Sequence, residues 1–246
     1  DGSDEPSEDS YFVVAGNGMF LRKRNSWVDA LVPIKAIDGL ERCEPSATLR
    51  LPRIKSTTFA KAVSFFHAVY AKQKTEASVL LHYSEKHGWD VTVPPQEVTF
   101  GHVRYDMRER IPGYRCVGTM HSHGSMSAFH SSVDIENEAQ FDGIHITIGR
   151  VDRFPLFEVD AEFVVNGTRF PLAQEHIIYL KEAKIFSVLG RMTGGGKHSK
   201  LYTMPFGILR DWKIPKEWME RVNNPAHTIG KSKPLPLFVR TSQEKA

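Results

Sequence analysis

HSHGSMSAFHSSVD, residues 121–134, packs three histidines, five serines and one aspartate into fourteen positions of a chain that has eleven histidines in all. His121 and His123 stand two apart at the end of a predicted strand, so their side chains point to the same face. Two imidazoles side by side can grip one metal ion. Asp134 falls at the start of the next predicted helix, where the helix dipole favours a carboxylate. Two histidines and one aspartate leave a fourth tetrahedral position open, the mark of a catalytic rather than a structural zinc. The competing reading is a polar loop, since His-x-His alone is common and Ser-x-x-Asp is an ordinary helix start. The complete spacing, H-x-H-x(7)-S-x-x-D, is far rarer than either half and decides for a site.

The elements around this stretch alternate. Upstream, Ser56 reads as an N-cap, and Phe59, Ala62, Val63, Phe66, Val69 and Tyr70 follow at three- and four-residue spacing, which predicts a core helix over 56–72. Ser78–Tyr83 and Trp89–Val93 read as strands around the His87-Gly88 turn, and Pro94-Pro95 ends the second. Residues 96–112 form a polar connection with room for a short strand. Tyr114–Met120 then delivers the chain into His121. Downstream, Ser131 or Ser132 caps a short helix through Phe141, and 144–150 and 156–165 are strands. Asn166-Gly167 signals a hairpin before TRFPL. Near the start, YFVVAGNGMFLRKR reads as two strands joined by a Gly-Asn-Gly turn, with an extended apolar stretch through Trp27 and Ile34. This pattern implies a mixed α/β or α+β class. Beyond about residue 190 it weakens, and Gly194-Gly195-Gly196-Lys197 lacks the spacing of a phosphate-binding loop.

Composition narrows the function classes. Hydrophobic residues make up 41% and charged residues 25%, enough for a sizeable core. No apolar run is long enough to span a membrane, and DGSDEPSEDS has neither the basic start nor the apolar middle of a signal peptide. Two cysteines, Cys43 and Cys116, make no disulfide framework and fit a reducing, cytoplasmic setting. A net charge of +3 is too small to argue for nucleic acid, although eleven Lys/Arg stand against four Asp/Glu from Arg191 onward.

At His121, His123, Ser131 and Asp134 the chain resembles the JAMM (MPN+) zinc metallopeptidases, matching their motif at each fixed position. The resemblance implies one catalytic zinc on His121, His123 and Asp134, with Ser131 stabilising the tetrahedral intermediate. It also implies a catalytic glutamate upstream, between a helix and a strand. Glu76 takes that place, 45 residues before His121. Glu85, Glu97 and Glu109 are rivals on a turn or in the polar connection. The family usually carries a glycine soon after this glutamate, whereas this chain reads EASVLLHY. His130 has no fixed role in the motif and is expected beside the site or facing solvent. Cys116 is expected to be a small buried hydrophobe.

The fold implied is a JAMM/MPN-like, cytidine-deaminase-like core: a curved sheet flanked by helices over 56–190. Around it lie a β-rich N-terminal extension with an acidic leader (1–55) and a basic C-terminal extension (191–246). The reaction implied is hydrolysis at the C-terminal tail of a ubiquitin-like protein, including isopeptide bonds to a lysine of a target. The family holds such a tail as an added strand, and GHVRYDMRERI lies where its first insertion lies. Residues 121–149 look most like bacterial members encoded beside ubiquitin-like proteins and their conjugation enzymes, which implies a deconjugase in a bacterial, anti-phage pathway. Alternatives are a peptidase trimming a sulfur carrier, and a scaffold keeping zinc only for structure.

Overall fold

The computed structural model describes residues 6, 8–24, 29–37, 39–41, 43–173, 177–178, 184–187, 200–203 and 213–225. Trp27, the run Gly194–Lys197, Pro234 and Pro236 lie outside them. The chain divides into two units, Asp1–Ser46 and Ala47–Ala246. In the first, β1 (Ser10–Ala15), β2 (Gly18–Arg24) and β3 (Asp29–Pro33) form an antiparallel meander in which Phe12, Leu21 and Val32 are register partners. The Gly16-Asn17 loop makes the tight turn expected between the first two strands.

The second unit begins with residues that enter its core, since Ile54 is fully buried and pairs with Ile178. Helix α1 (Ser56–Gln73) buries the expected stripe, with Phe59, Ala62, Val63, Phe66 and Val69 all withdrawn from solvent. Its N-cap is Lys55 rather than Ser56, and no side chain caps it. The helix ends on Lys74, whose left-handed backbone (φ 57°) lets its N–H reach the Tyr70 carbonyl. That reversal turns the chain through Thr75 and Glu76 into β4 (Ser78–Ser84) and β5 (Gly88–Thr92).

Two short strands follow where the sequence allows one, β6 (Gln96–Val98) and β7 (Val103–Tyr105). Then come β8 (Arg115–Ser122), α2 (Ser132–Glu138), β9 (Gly143–Gly149), a 3-10 turn over Val151–Arg153, β10 (Leu156–Val165) and β11 (Thr168–Pro171). Further on are β12 (Lys184–Ser187), β13 (Lys200–Thr203), α3 (Lys216–Glu220) and β14 (Val222–Asn223). The main sheet runs β12-β13-β10-β9-β8-β4-β5, with β11 also on β10. A smaller sheet runs β14-β6-β7, and the class is mixed α+β.

One pairing positions the site. β8 and β9 are parallel, whereas the neighbouring pairs β4–β8 and β9–β10 are antiparallel. A parallel pair cannot be joined by a hairpin, so residues 123–142 cross over and place α2 beyond the carboxyl end of β8. β9 is buried at all seven positions, as expected of a strand covered on both faces. The two strands approach so closely at Gly118 that an added Cβ would lie 1.9 Å from the Ile144 carbonyl oxygen. The obstacle is backbone and cannot rotate away. Gly118→Ala is therefore expected to cost at least about 1–3 kcal/mol in urea unfolding. An unchanged midpoint would contradict this register.

The segment 213–225 lies against the core rather than apart from it. Trp218 packs edge-on against Phe65 at 5.6 Å, and β14 runs parallel to β6. Arg221 donates to the Val93 carbonyl (2.8 Å) and to Glu109 Oε1 (2.6 Å). Among the described residues, no helix is long and apolar enough to cross a membrane.

Candidate metal centre

β8 carries His121, and its last residue leads into His123, whose N–H continues the ladder onto the Ile148 carbonyl at 2.8 Å. The alternation of an extended chain puts both imidazoles on one side. Their Nε2 atoms are 3.1 Å apart, and both residues are buried. Thr147 Oγ1, on the neighbouring β9, lies 3.4 Å from His121 Nε2.

Ser131 brings the third group. It is the N-cap of α2, and its Oγ accepts the Asp134 N–H at 3.2 Å while its own N–H donates to Asp134 Oδ2 at 2.8 Å. This reciprocal capping fixes the carboxylate at the head of the helix. Asp134 Oδ1 lies 3.5 Å from His121 Nε2, and Oδ2 lies 3.4 Å from His123 Nε2. The Ser131 hydroxyl donates to Oδ2 at 2.5 Å. Burial raises the Asp134 pKa, but hydrogen bonds from His121, His123 and Ser131 outweigh it and hold the carboxyl far below the usual range. Ligand atoms of His121, His123 and Asp134 all lie within 4.8 Å of one another, so this group could hold a metal ion.

Glu76 lies where α1 gives way to β4. Its N–H donates to the Thr99 carbonyl at 3.0 Å, and only 4% of the residue is exposed. It shares a cleft of about 190 Å³ with His123, Phe129, Ser131 and Asp134. Burial is the main cause that pushes its pKa up to about 7; His123 opposes this and Asp134 adds to it. Neither Glu85, Glu97 nor Glu109 lines that cleft. Glu85 is exposed on the β4–β5 turn, and Glu109 is tied to Arg221. The structure thus brings together all five residues singled out from the sequence.

Cys116 is half-buried on β8, and burial pushes its thiol pKa up, so it behaves as a small apolar side chain. His130 does not face solvent: its side chain is 4% exposed and its Nδ1 is 2.9 Å from Glu138 Oε2. Its ring stands edge-on to that of His121 at 6.5 Å. Sequence reasoning missed Met126 and Phe129, which wall the cleft, and the ion pair of Arg169 with Glu138 at 2.7 Å. No local pattern announces that pair, whose members are 31 residues apart.

A second cleft, of about 430 Å³, is lined by His121 and shares Asp134 with the first. Its walls include Val103, Tyr105 and Met107 on one side and Val133 and Asn137 of α2 on the other. Among the described residues the outer edge of β7 is unpaired, since the small sheet ends there.

No protein-family model matches the chain, and no curated protein matches it.

Proposed function

We propose that the chain is a zinc-dependent peptidase of the JAMM (MPN+) type that hydrolyses the bond after the C-terminal tail of a ubiquitin-like protein. The observation that carries this reading is the convergence of His121, His123 and Asp134, with Glu76 and Ser131 lining one cleft beside His123 and Asp134. The donor set fits zinc. Two ligands about 2.0–2.1 Å from one tetrahedral ion stand roughly 3.3 Å apart, and the two Nε2 atoms are separated by 3.1 Å. Zinc in such a set supplies Lewis acidity, polarising a carbonyl and making water acidic enough to yield hydroxide near neutral pH.

The protein's own groups do the rest. Glu76 accepts a proton from the attacking water as the C–O bond forms, and returns it to the amine nitrogen as the C–N bond breaks. Its burial suits both directions, because a carboxyl with a pKa of about 7 can hold or release a proton near neutrality. Ser131 lines the same cleft; its hydroxyl rests on Asp134 and turns to donate to the oxyanion as charge develops there. Phe129 and Met126 add apolar surface to the same cleft.

The tail lies extended in the larger cleft, adding a strand to the free edge of β7, with main-chain hydrogen bonds giving affinity. The leaving group is a lysine of a conjugated target. The protein acts as a deconjugase in the cytoplasm of a bacterium, in a conjugation pathway directed against phage. Arg221 bears on tail binding, because its side chain ties the Val93 carbonyl, between β5 and β6, and Glu109 of the 106–112 connection to the segment 213–225. Arg221→Ala is expected to raise KM several-fold with kcat unchanged, since it touches no reacting group. A fall in kcat with KM unchanged would contradict this placement of the tail. The reading itself is tested on an isopeptide-linked carrier conjugate: chelation should abolish cleavage and one equivalent of zinc restore it. Cleavage indifferent to chelation would sink it.

A further inference from the structure

Helix α2 carries Asp134, yet it is only seven residues long, and its one buried side chain is Glu138. So short a helix does not persist in water on its own turns. Val133 and Ile135 are exposed, so no apolar face seats it on the sheet. What seats it is a chain of polar contacts running from Glu138 into the strands. Arg169 Nη2, on β11, donates to Glu138 Oε2 at 2.7 Å, and Arg169 Nε donates in turn to Glu162 on β10. β11 pairs with β10, β10 with β9, and β9 lies beside β8, which carries His121. At the other end of the helix, His130 immediately precedes the capping Ser131, and its Nδ1 is 2.9 Å from Glu138 Oε2. One carboxylate therefore links the residue before the helix, the last turn of the helix and the sheet beneath.

We propose that Glu138 is a positioning residue for the metal centre: through Arg169 and His130 it holds α2, and with it Asp134, in register with His121 and His123. This rests on the metal-binding reading of those three residues. Ion pairs out of water contribute little net stability but demand one geometry, because a misplaced partner leaves a charge buried and unpaired. Glu138 is 5% exposed, and a slip of α2 would take its carboxylate from Arg169, which stays paired with Glu162 on β10, and leave Glu138 in that condition. The energetic penalty for misplacing Asp134 thus comes from a residue that touches no ligand.

The test is ion affinity of the folded protein, measured with Zn²⁺ against a chromophoric chelator and with Co²⁺ by its visible spectrum. Glu138→Gln is expected to weaken Zn²⁺ binding by about 10–100-fold, the usual cost of losing a partner beyond the ligands. Arg169→Gln and His130→Gln, which leave the carboxylate in place, are expected to weaken binding in the same direction and carry the test if Glu138→Gln fails to fold. Cobalt spectra of the variants should lose intensity or shift as Asp134 leaves its position. A purely structural role would lower the unfolding temperature and leave both readouts unchanged. Folded variants that titrate like the wild type overturn the proposal and leave the metal reading intact. Wild-type protein that binds neither ion overturns both.

Discussion

Glu76→Gln is expected to lower kcat/KM by about 10²–10⁴-fold, the usual contribution of a positioned acid–base group, without lowering zinc content. The amide fills the same space between α1 and β4 but cannot accept a proton. Zinc content is expected to hold because Glu76 is not among the three residues whose ligand atoms converge. The same substitution should stabilise the metal-free protein. The Glu76 pKa rises from 4.5 to about 7 on folding, chiefly by burial. Between those values the folded state binds more protons than the unfolded state, so stability falls as pH rises. The wild type thus carries a penalty that is absent below about pH 4.5 and complete above about pH 7, on the order of 3 kcal/mol. Gln carries none of it. Thermal unfolding of metal-free wild type and variant should coincide in acid and separate above neutrality, with the variant melting higher. A variant that melts lower at pH 8, or turns over at the wild-type rate, would remove Glu76 from its role.

Asp134→Asn is expected to have the second large effect. An amide oxygen can still accept from the Ser131 N–H, so the cap survives in part and α2 keeps its place. What is lost is the negative charge facing His121 and His123. Affinity for zinc is expected to fall by more than the roughly 10–100-fold attached to partners beyond the ligands. Unfolding of the metal-free protein should move by only about 1 kcal/mol, the scale of a cap. Chelator competition together with urea unfolding separates the two effects. Binding within tenfold of wild type would mean that Asp134 is not a ligand.

Glu76 and Asp134 are both legible in the sequence, and the reason is local. The stripe of Phe59, Val63, Phe66 and Val69 recurs at the helical period, and the 121–134 stretch carries its ligands on one strand end and one helix start. The order of helix, glutamate and strand at 56–84 is likewise written into adjacent residues. What could not be read depends on partners far apart. β14 joins β6 across more than a hundred residues, and β13 joins β10 through Tyr202 and Phe157. Neither leaves a periodic trace. Capping by Lys55 instead of Ser56 is a smaller case: α1 buries its apolar face on the core and begins without a side-chain cap. Glu138 is the most telling one. In sequence it is one acidic residue in a polar helix, and its partner Arg169 comes from a later hairpin.

The most direct test of the account is intact-mass analysis of ubiquitin-like proteins carrying a C-terminal fusion, incubated with zinc-loaded wild type and with Glu76→Gln. The account predicts a single cut at the end of the carrier tail by the wild type and none by the variant. No cut in any carrier by protein holding one equivalent of zinc would contradict it, and equal cutting by both proteins would contradict the role given to Glu76.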